Sequence, residues 1–213
     1  MRVRIGYWAW IVGVVQFFVV HWVAESAWSR PYGWARNNIS DLGNAHCAFQ
    51  PEPEPRYVCS PEHGLMNGSF VALGVLVVVG AVLTGGGLWR RGPAAAVGRL
   101  GLAAAGAGFV LAGLAPADVN ENRHVLGALL VMAVGNIGLA LAGFGLAERT
   151  PPALRRGTTL LGCAAIVAFG LFLSHRHLGL GMGGMERLAV FPLLIWALAV
   201  AVRGITRHPQ AVQ

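Results

Sequence analysis

The sequence contains no lysine, only nine acidic residues and only three cysteines in 213 positions, and just 12% of it is charged. Soluble domains carry about 25% charged residues, so a water-soluble globular enzyme is a poor reading of this chain. The missing lysine matters for a second reason. All sixteen basic residues are arginine, and most fall singly or in pairs at the ends of apolar blocks. No basic stripe interleaved with aromatics is left to track a phosphate backbone, so nucleic acid is not an expected partner despite a formal charge of +7. Neither G-x-S-x-G nor H-E-x-x-H occurs, so no local motif announces a serine hydrolase or a zinc peptidase. What is abundant is apolar sequence, 55% of the chain with a mean hydropathy of +0.59. It comes in long blocks, the arrangement of a multi-span membrane protein.

Six spans are expected, an all-α polytopic bundle forming one domain over residues 1–213, at about 5–24, 64–84, 98–115, 125–147, 158–174 and 186–202. The first resembles a secretory signal, but it is rich in large aromatics and runs into Glu25, Ser26 and Trp28 without a small-x-small site, so it reads as a retained span. Arg99 can snorkel to the interface at the start of the third. Gly101, Ala105, Gly106 and Gly108 mark that helix as closely packed, because small residues let backbones approach in lipid. Asn67 and Asn136 read as interhelical hydrogen-bond glue, and tryptophans near block ends suit the membrane interface.

Ten of the sixteen arginines fall on the side that carries Met1. The positive-inside rule therefore predicts that both termini are cytoplasmic. Eight of the nine acids, Glu52 and Glu54 among them, fall on the other side or at the outer ends of spans; Glu148 is the exception. The histidines follow the acids, except His208 in the C-terminal tail.

The loop at 25–62 is the one long connection and reads as a structured outer cap. Cys47 and Cys59 lie in it on the predicted oxidising side, so a disulfide is expected, worth roughly 3 kcal/mol for a loop of this length. A metal site using Cys47, Cys59 and His46 is the alternative, although the spacing fits no standard zinc pattern. Cys163 reads as a packing residue.

The candidate chemistry lies at the outer ends of the spans. Ser40, Asp41, His63, Asp118 and His124 form the candidate catalytic set, since a serine beside an acid needs a histidine in reach to take its proton. His63, His124 and Asp118 have the ligand chemistry for zinc with an open position for water. Asn37, His175, His177, Glu186 and Arg187 are the candidate ligand-binding residues. Glu186 and Arg187 also suit a structural ion pair or a grip on the loop, and Asn37 and Asn38 suit capping of a short interfacial helix.

The runs Asn37-Asn38-Ile39-Ser40-Asp41-Leu42-Gly43, Ser60-Pro61-Glu62-His63-Gly64, Pro116-Ala117-Asp118 with His124, and Gly183-Gly184-Met185-Glu186-Arg187 resemble the bacterial integral-membrane family catalogued as domain of unknown function 998. The resemblance implies six helices with a first extracytoplasmic loop and no established activity. A seven-helix superfamily of membrane hydrolases, including alkaline ceramidases, has a partly similar Ser, Asp and His inventory around zinc. This chain lacks its H-x-x-x-H pair. Haem held between histidines on two helices is a further option that no motif selects.

Two functions are expected to compete. One is an outward-facing polar pocket that binds a lipid or amphiphile, with metal-assisted hydrolysis as its sharper form. The other is a non-enzymatic protein whose outer loop binds a partner and whose polar residues lock the bundle. A transporter is less favoured, because the span centres carry almost no ionisable groups and nothing suggests a charge relay through the midplane.

Overall fold

A computed structural model describes residues 1–51 and 55–207; Glu52, Glu54 and His208 lie outside the described residues. Among the described residues, six helices are long and apolar enough to cross a membrane: α1 Arg2–Ser26, α2 His63–Leu83, α3 Pro93–Leu114, α4 Glu121–Gly145, α5 Pro152–Leu173 and α6 Gly181–Thr206. Several run past their apolar blocks. Pro93 and Pro152 open α3 and α5 near the first helical position, where proline's missing N–H costs nothing. Arg99 sits inside α3 because its guanidinium reaches the last carbonyls of α2, Ala81 O and Val82 O, at 3.1 Å each.

Each helix packs on its neighbours in sequence, and α6 returns to α1, so the six close into a ring. Large apolar side chains such as Trp22, Leu100, Leu160 and Val167 face outward, as lipid contact requires. The interior is filled by Phe17, Phe70 and Phe109 towards one end and Trp10, Trp89 and Trp196 towards the other. Glycines decide how close the helices come. A Cβ on Gly101 would lie 2.5 Å from Gly138 Cα, and one on Gly74 would lie 2.3 Å from Gly106 O. These are backbone-to-backbone crossings that no side chain can enter.

Helix α4 is not regular. Its middle, Leu130–Gly135, is π-helical, and Asn136 sits just beyond it, fully buried. Asn136 Nδ2 donates to Met132 O in its own helix at 2.8 Å and to Ala189 O of α6 at 2.7 Å. The expectation of interhelical glue is met at Asn136. Asn67 instead donates to Gly43 O in the first loop at 2.8 Å, tying α2 to the cap rather than to a helix.

The long first loop forms that cap. It contains a 3₁₀ turn, Ser40–Gly43, and a two-stranded antiparallel ribbon, β1 Ala48–Gln50 with β2 Arg56–Val58. The Cys47–Cys59 disulfide closes the ribbon's base. At the opposite face, Arg90 N donates to Gly145 O and Ala147 N to Leu88 O, joining the α2–α3 and α4–α5 connections.

Gly138→Val is expected to lower stability by about 1–3 kcal/mol or more, because the added methyls have only Gly101 backbone to meet. Thermal unfolding of the detergent-purified protein measures it, with Gly157→Val, where a Cβ meets open space, as the comparison.

Candidate functional site: a clamped cap over a cavity

Asp41 organises the cap. Its carboxylate is 2% exposed and accepts hydrogen bonds from Arg56 Nε at 2.8 Å and Arg56 Nη2 at 2.9 Å, one on each oxygen. Asn37 Nδ2 and Asn38 N donate to Oδ2 at 3.1 Å each. Asn37 Oδ1 in turn accepts from Gly33 N at 3.1 Å. The capping expected of Asn37 and Asn38 is thus reversed in part: Asp41 receives the bonds, and Asn37 ties the chain back to the preceding turn.

Helix α6 grips this turn from below. Glu186 accepts Ile39 N at 2.5 Å. Arg187 Nη1 donates to Trp34 O, Asn37 O and Gly183 O at 2.8–3.0 Å, Nη2 donates to the Tyr32 hydroxyl, and the guanidinium lies 4.9 Å from the Trp34 ring centroid. Glu186 and Arg187 therefore hold the loop rather than each other. Burial pushes the Tyr32 phenol well above its ordinary pKa, against the lowering effect of Arg187, so it stays neutral and donates to Asn38 O at 2.7 Å. Contact this close needs glycine. A Cβ on Gly183 would lie 2.1 Å from Asn37 O, and Gly181 has φ +72° with its backbone against Ala35.

The α3–α4 connection supplies the third anchor. Asp118 accepts Ala45 N at 3.0 Å, His46 N at 2.7 Å and the His46 ring at 3.0 Å. Its partial burial alone would raise its pKa; those hydrogen bonds outweigh it and hold the carboxyl below its ordinary 3.8. Ser60 Oγ donates to Leu42 O at 2.7 Å, completing the seam along α2.

Between the cap, α4, α5 and α6 lies a cavity of about 560 Å³. Its wall under the cap is polar, with Asp41, Arg56, Asp118, Glu121 and Glu186, and its membrane-side wall is apolar, with Val125, Ala128, Met132 and Phe172. A narrow apolar crevice of about 40 Å³ adjoins it, reaching Phe70, Phe109, Val131 and Val190 inside the bundle. Ser40, His124, Ala128, Met132 and Glu186 line both spaces. The cavity exists because the cap-proximal part of α4, before its π-helical stretch, packs mainly on α3 and leaves its other side open.

The candidate residues divide accordingly. Ser40, Asp41, Asp118, His124 and Glu186 line the cavity; Asn37 and Arg187 lie in the clamp beside it; His63, His175 and His177 do not line it. The metal reading of His63, His124 and Asp118 is corrected: no group of three or more His, Cys, Asp or Glu able to hold a metal ion occurs among the described residues. His63 Nδ1 bonds Ser60 O at 3.0 Å and His124 Nδ1 bonds Ala115 O at 2.9 Å, which fixes each ring through one nitrogen, and Asp118 is bonded to Ala45 and His46 of the cap. The Cys–His alternative fails too, because Cys47 and Cys59 are bonded to each other. Arg56 was the residue that sequence reasoning passed over. It is one arginine among several in a polar loop, and its meeting with Asp41 is visible only in the folded chain.

A family model described as a protein of unknown function, DUF998, matches residues 11–203. The chain belongs to this family. A curated relative, a triacylglyceride transporter of Mycolicibacterium hassiacum, is 34% identical over 140 residues, 55% of this chain. The match spans only 25% of that transporter's length. No solved structure matches. In this DUF998 protein the motif runs quoted from the sequence are therefore clamp residues: the Asn-Ile-Ser-Asp-Leu-Gly turn, the α2 start, the α3–α4 connection and the α6 start meet around one cap.

Arg56→Met, which strands a buried carboxylate, is expected to cost about 3–5 kcal/mol and to raise hydrogen exchange across residues 33–43. A second expectation concerns pH. The folded Asp118 pKa lies below its ordinary 3.8, so its contribution to cap stability is present above that value and is lost as pH falls through the folded pKa. Asp118→Asn should remove this acid-side loss from the unfolding profile.

Proposed function

We propose that this DUF998 protein binds a lipid or similar amphiphile in the cavity beneath the cap. The observation that carries the reading is the cavity's division: a charged, hydrogen-bonding wall adjoining an apolar crevice that enters the bundle. A polar headgroup suits the first and an acyl chain the second, and binding sites of this kind combine apolar lining with a few placed polar groups. The mycobacterial relative's name, which refers to a triacylglyceride, supports a lipid as the ligand class. The exposed apolar face of α4, with Val125, Leu126 and Leu129, supports entry from the bilayer. The disulfide and the arginine distribution support a cap outside a bacterial cell membrane, with both termini in the cytoplasm.

The non-enzymatic alternative draws on a specific observation as well. Asn37, Asp41, Asp118, Glu186 and Arg187 are all bonded to cap residues, which is the lock that this reading requires. The lock and the lipid site are compatible, since the clamp forms the cavity's polar wall.

Ala128→Trp tests the proposal by filling the space where cavity and crevice meet. In nanodiscs containing a photoactivatable triacylglycerol analogue, wild type is expected to be labelled on α4 and α6 peptides around Ala128 and Val190. The variant should show about tenfold less labelling at an unchanged melting temperature, a loss of about 1.4 kcal/mol in binding. Equal labelling of the two proteins, or wild-type labelling spread evenly around the lipid-facing perimeter, would defeat the reading.

A further inference from the structure

We infer that the face opposite the cap carries a second binding site, a pocket for the phosphate of an anionic phospholipid headgroup, held by Arg149, Arg203 and Arg207. The pocket is a cavity of about 260 Å³ between the start of α1, the turn Gly85–Leu88, the α4–α5 connection and the end of α6. These three arginines line it, and no carboxylate does among the described residues.

Their pairing is incomplete. Arg203 Nη2 is buried with no hydrogen-bond partner among the described residues. Arg149 donates to the Gly87 carbonyl, a neutral acceptor. None of the three forms an ion pair among the described residues. Three guanidinium groups around one small cavity repel each other, and burial of a nitrogen removes water that would screen it. A bound anion reverses both effects, and arginine is the side chain best matched to phosphate oxygens.

The walls are set in place. Hydrogen bonds across Arg90–Gly145 and Leu88–Ala147 join the connections that carry Gly87 and Arg149. Tyr7 lines the cavity from α1, and a Cβ on Gly204 would lie 2.3 Å from its ring, so α1 and α6 are in direct contact there. Thr150 also lines it, and Leu88, Leu154 and Val200 supply its apolar walls. Apolar walls at the level of the helix ends suit the glycerol and first acyl carbons of a lipid, which a free phosphate lacks. Basic pockets between membrane helices bind anionic headgroups by this chemistry. The site is independent of the cap-face cavity, and either can be absent without the other.

The test is native mass spectrometry of the full-length detergent-purified protein titrated with phosphatidylglycerol or phosphatidylcholine, alongside thermal shifts with glycerol 1-phosphate. Phosphatidylglycerol is expected to be retained in preference to phosphatidylcholine. Arg203→Gln and Arg207→Gln are each expected to weaken retention about fivefold, and Arg203→Lys by less. Arg207 is exposed at the end of α6, so its variant reads the site even if the Arg203 variant fails to fold. Arg91→Gln removes a charge from the same face outside the cavity and should leave retention unchanged. Four outcomes would overturn the inference: loss in Arg91→Gln equal to that in Arg207→Gln, unchanged retention in Arg207→Gln, equal retention of the two lipids, or stabilisation by glycerol 1-phosphate equal to that by phosphatidylglycerol.

Discussion

A carboxylate and a guanidinium withdrawn from water cost several kcal/mol each unless they satisfy each other and their remaining bonds. Asp41 and Arg56 meet that condition at the centre of the cap, through a pairing that engages both carboxylate oxygens, with Asn37 and Asn38 completing the shell. Everything on that face follows from this pair. It draws β2 against the Ser40–Gly43 turn, and the turn then presents Ile39 N and the Asn37 carbonyl to Glu186 and Arg187 of α6. The cap is thereby fastened to α6 by charge-assisted bonds, to α2 by Asn67, and to the α3–α4 connection by Asp118. The disulfide closes the ribbon within this frame.

The bundle below obeys a different constraint. Helices in lipid gain little from hiding apolar surface and much from close packing and hydrogen bonds. Glycine pairs such as Gly101 with Gly138 bring α3 and α4 into backbone contact, and Asn136 bonds α4 to α6. The π-helical stretch in α4 sits where these demands meet. Close packing on α3 and Asn136's tie to α6 leave the cap-proximal part of α4 without a partner on its other side, and the cavity occupies that gap. Features of this kind recur at functional sites because they interrupt regular packing.

The six spans were legible because lipid enforces a length and a composition on each helix, and block lengths report both. Cys47 and Cys59 were legible as a pair because they were the two cysteines in one loop. The polar residues were legible as a set, but not the partners that each of them takes. Histidines and acids at the ends of different spans have the inventory of a metal site, but among the described residues no three of them come together as a group that could hold a metal ion. His63 bonds the Ser60 carbonyl just ahead of α2, and His124 bonds the Ala115 carbonyl at the end of α3. The paired Glu186-Arg187 suggested either an ion pair or a grip on the loop, and the structure selects the grip.

By itself the sequence determined a six-helix membrane protein with one structured loop, because hydrophobic length, arginine placement and cysteine position are one-dimensional properties. Only the tertiary structure decided that Arg56 meets Asp41, that Gly181 and Gly183 give the loop room to dock, and that the candidate residues separate into clamp and cavity wall. Those are facts of distance between segments up to about 150 positions apart, and a hydrogen bond, unlike an apolar span, leaves no periodicity in either partner's sequence from which the other can be read.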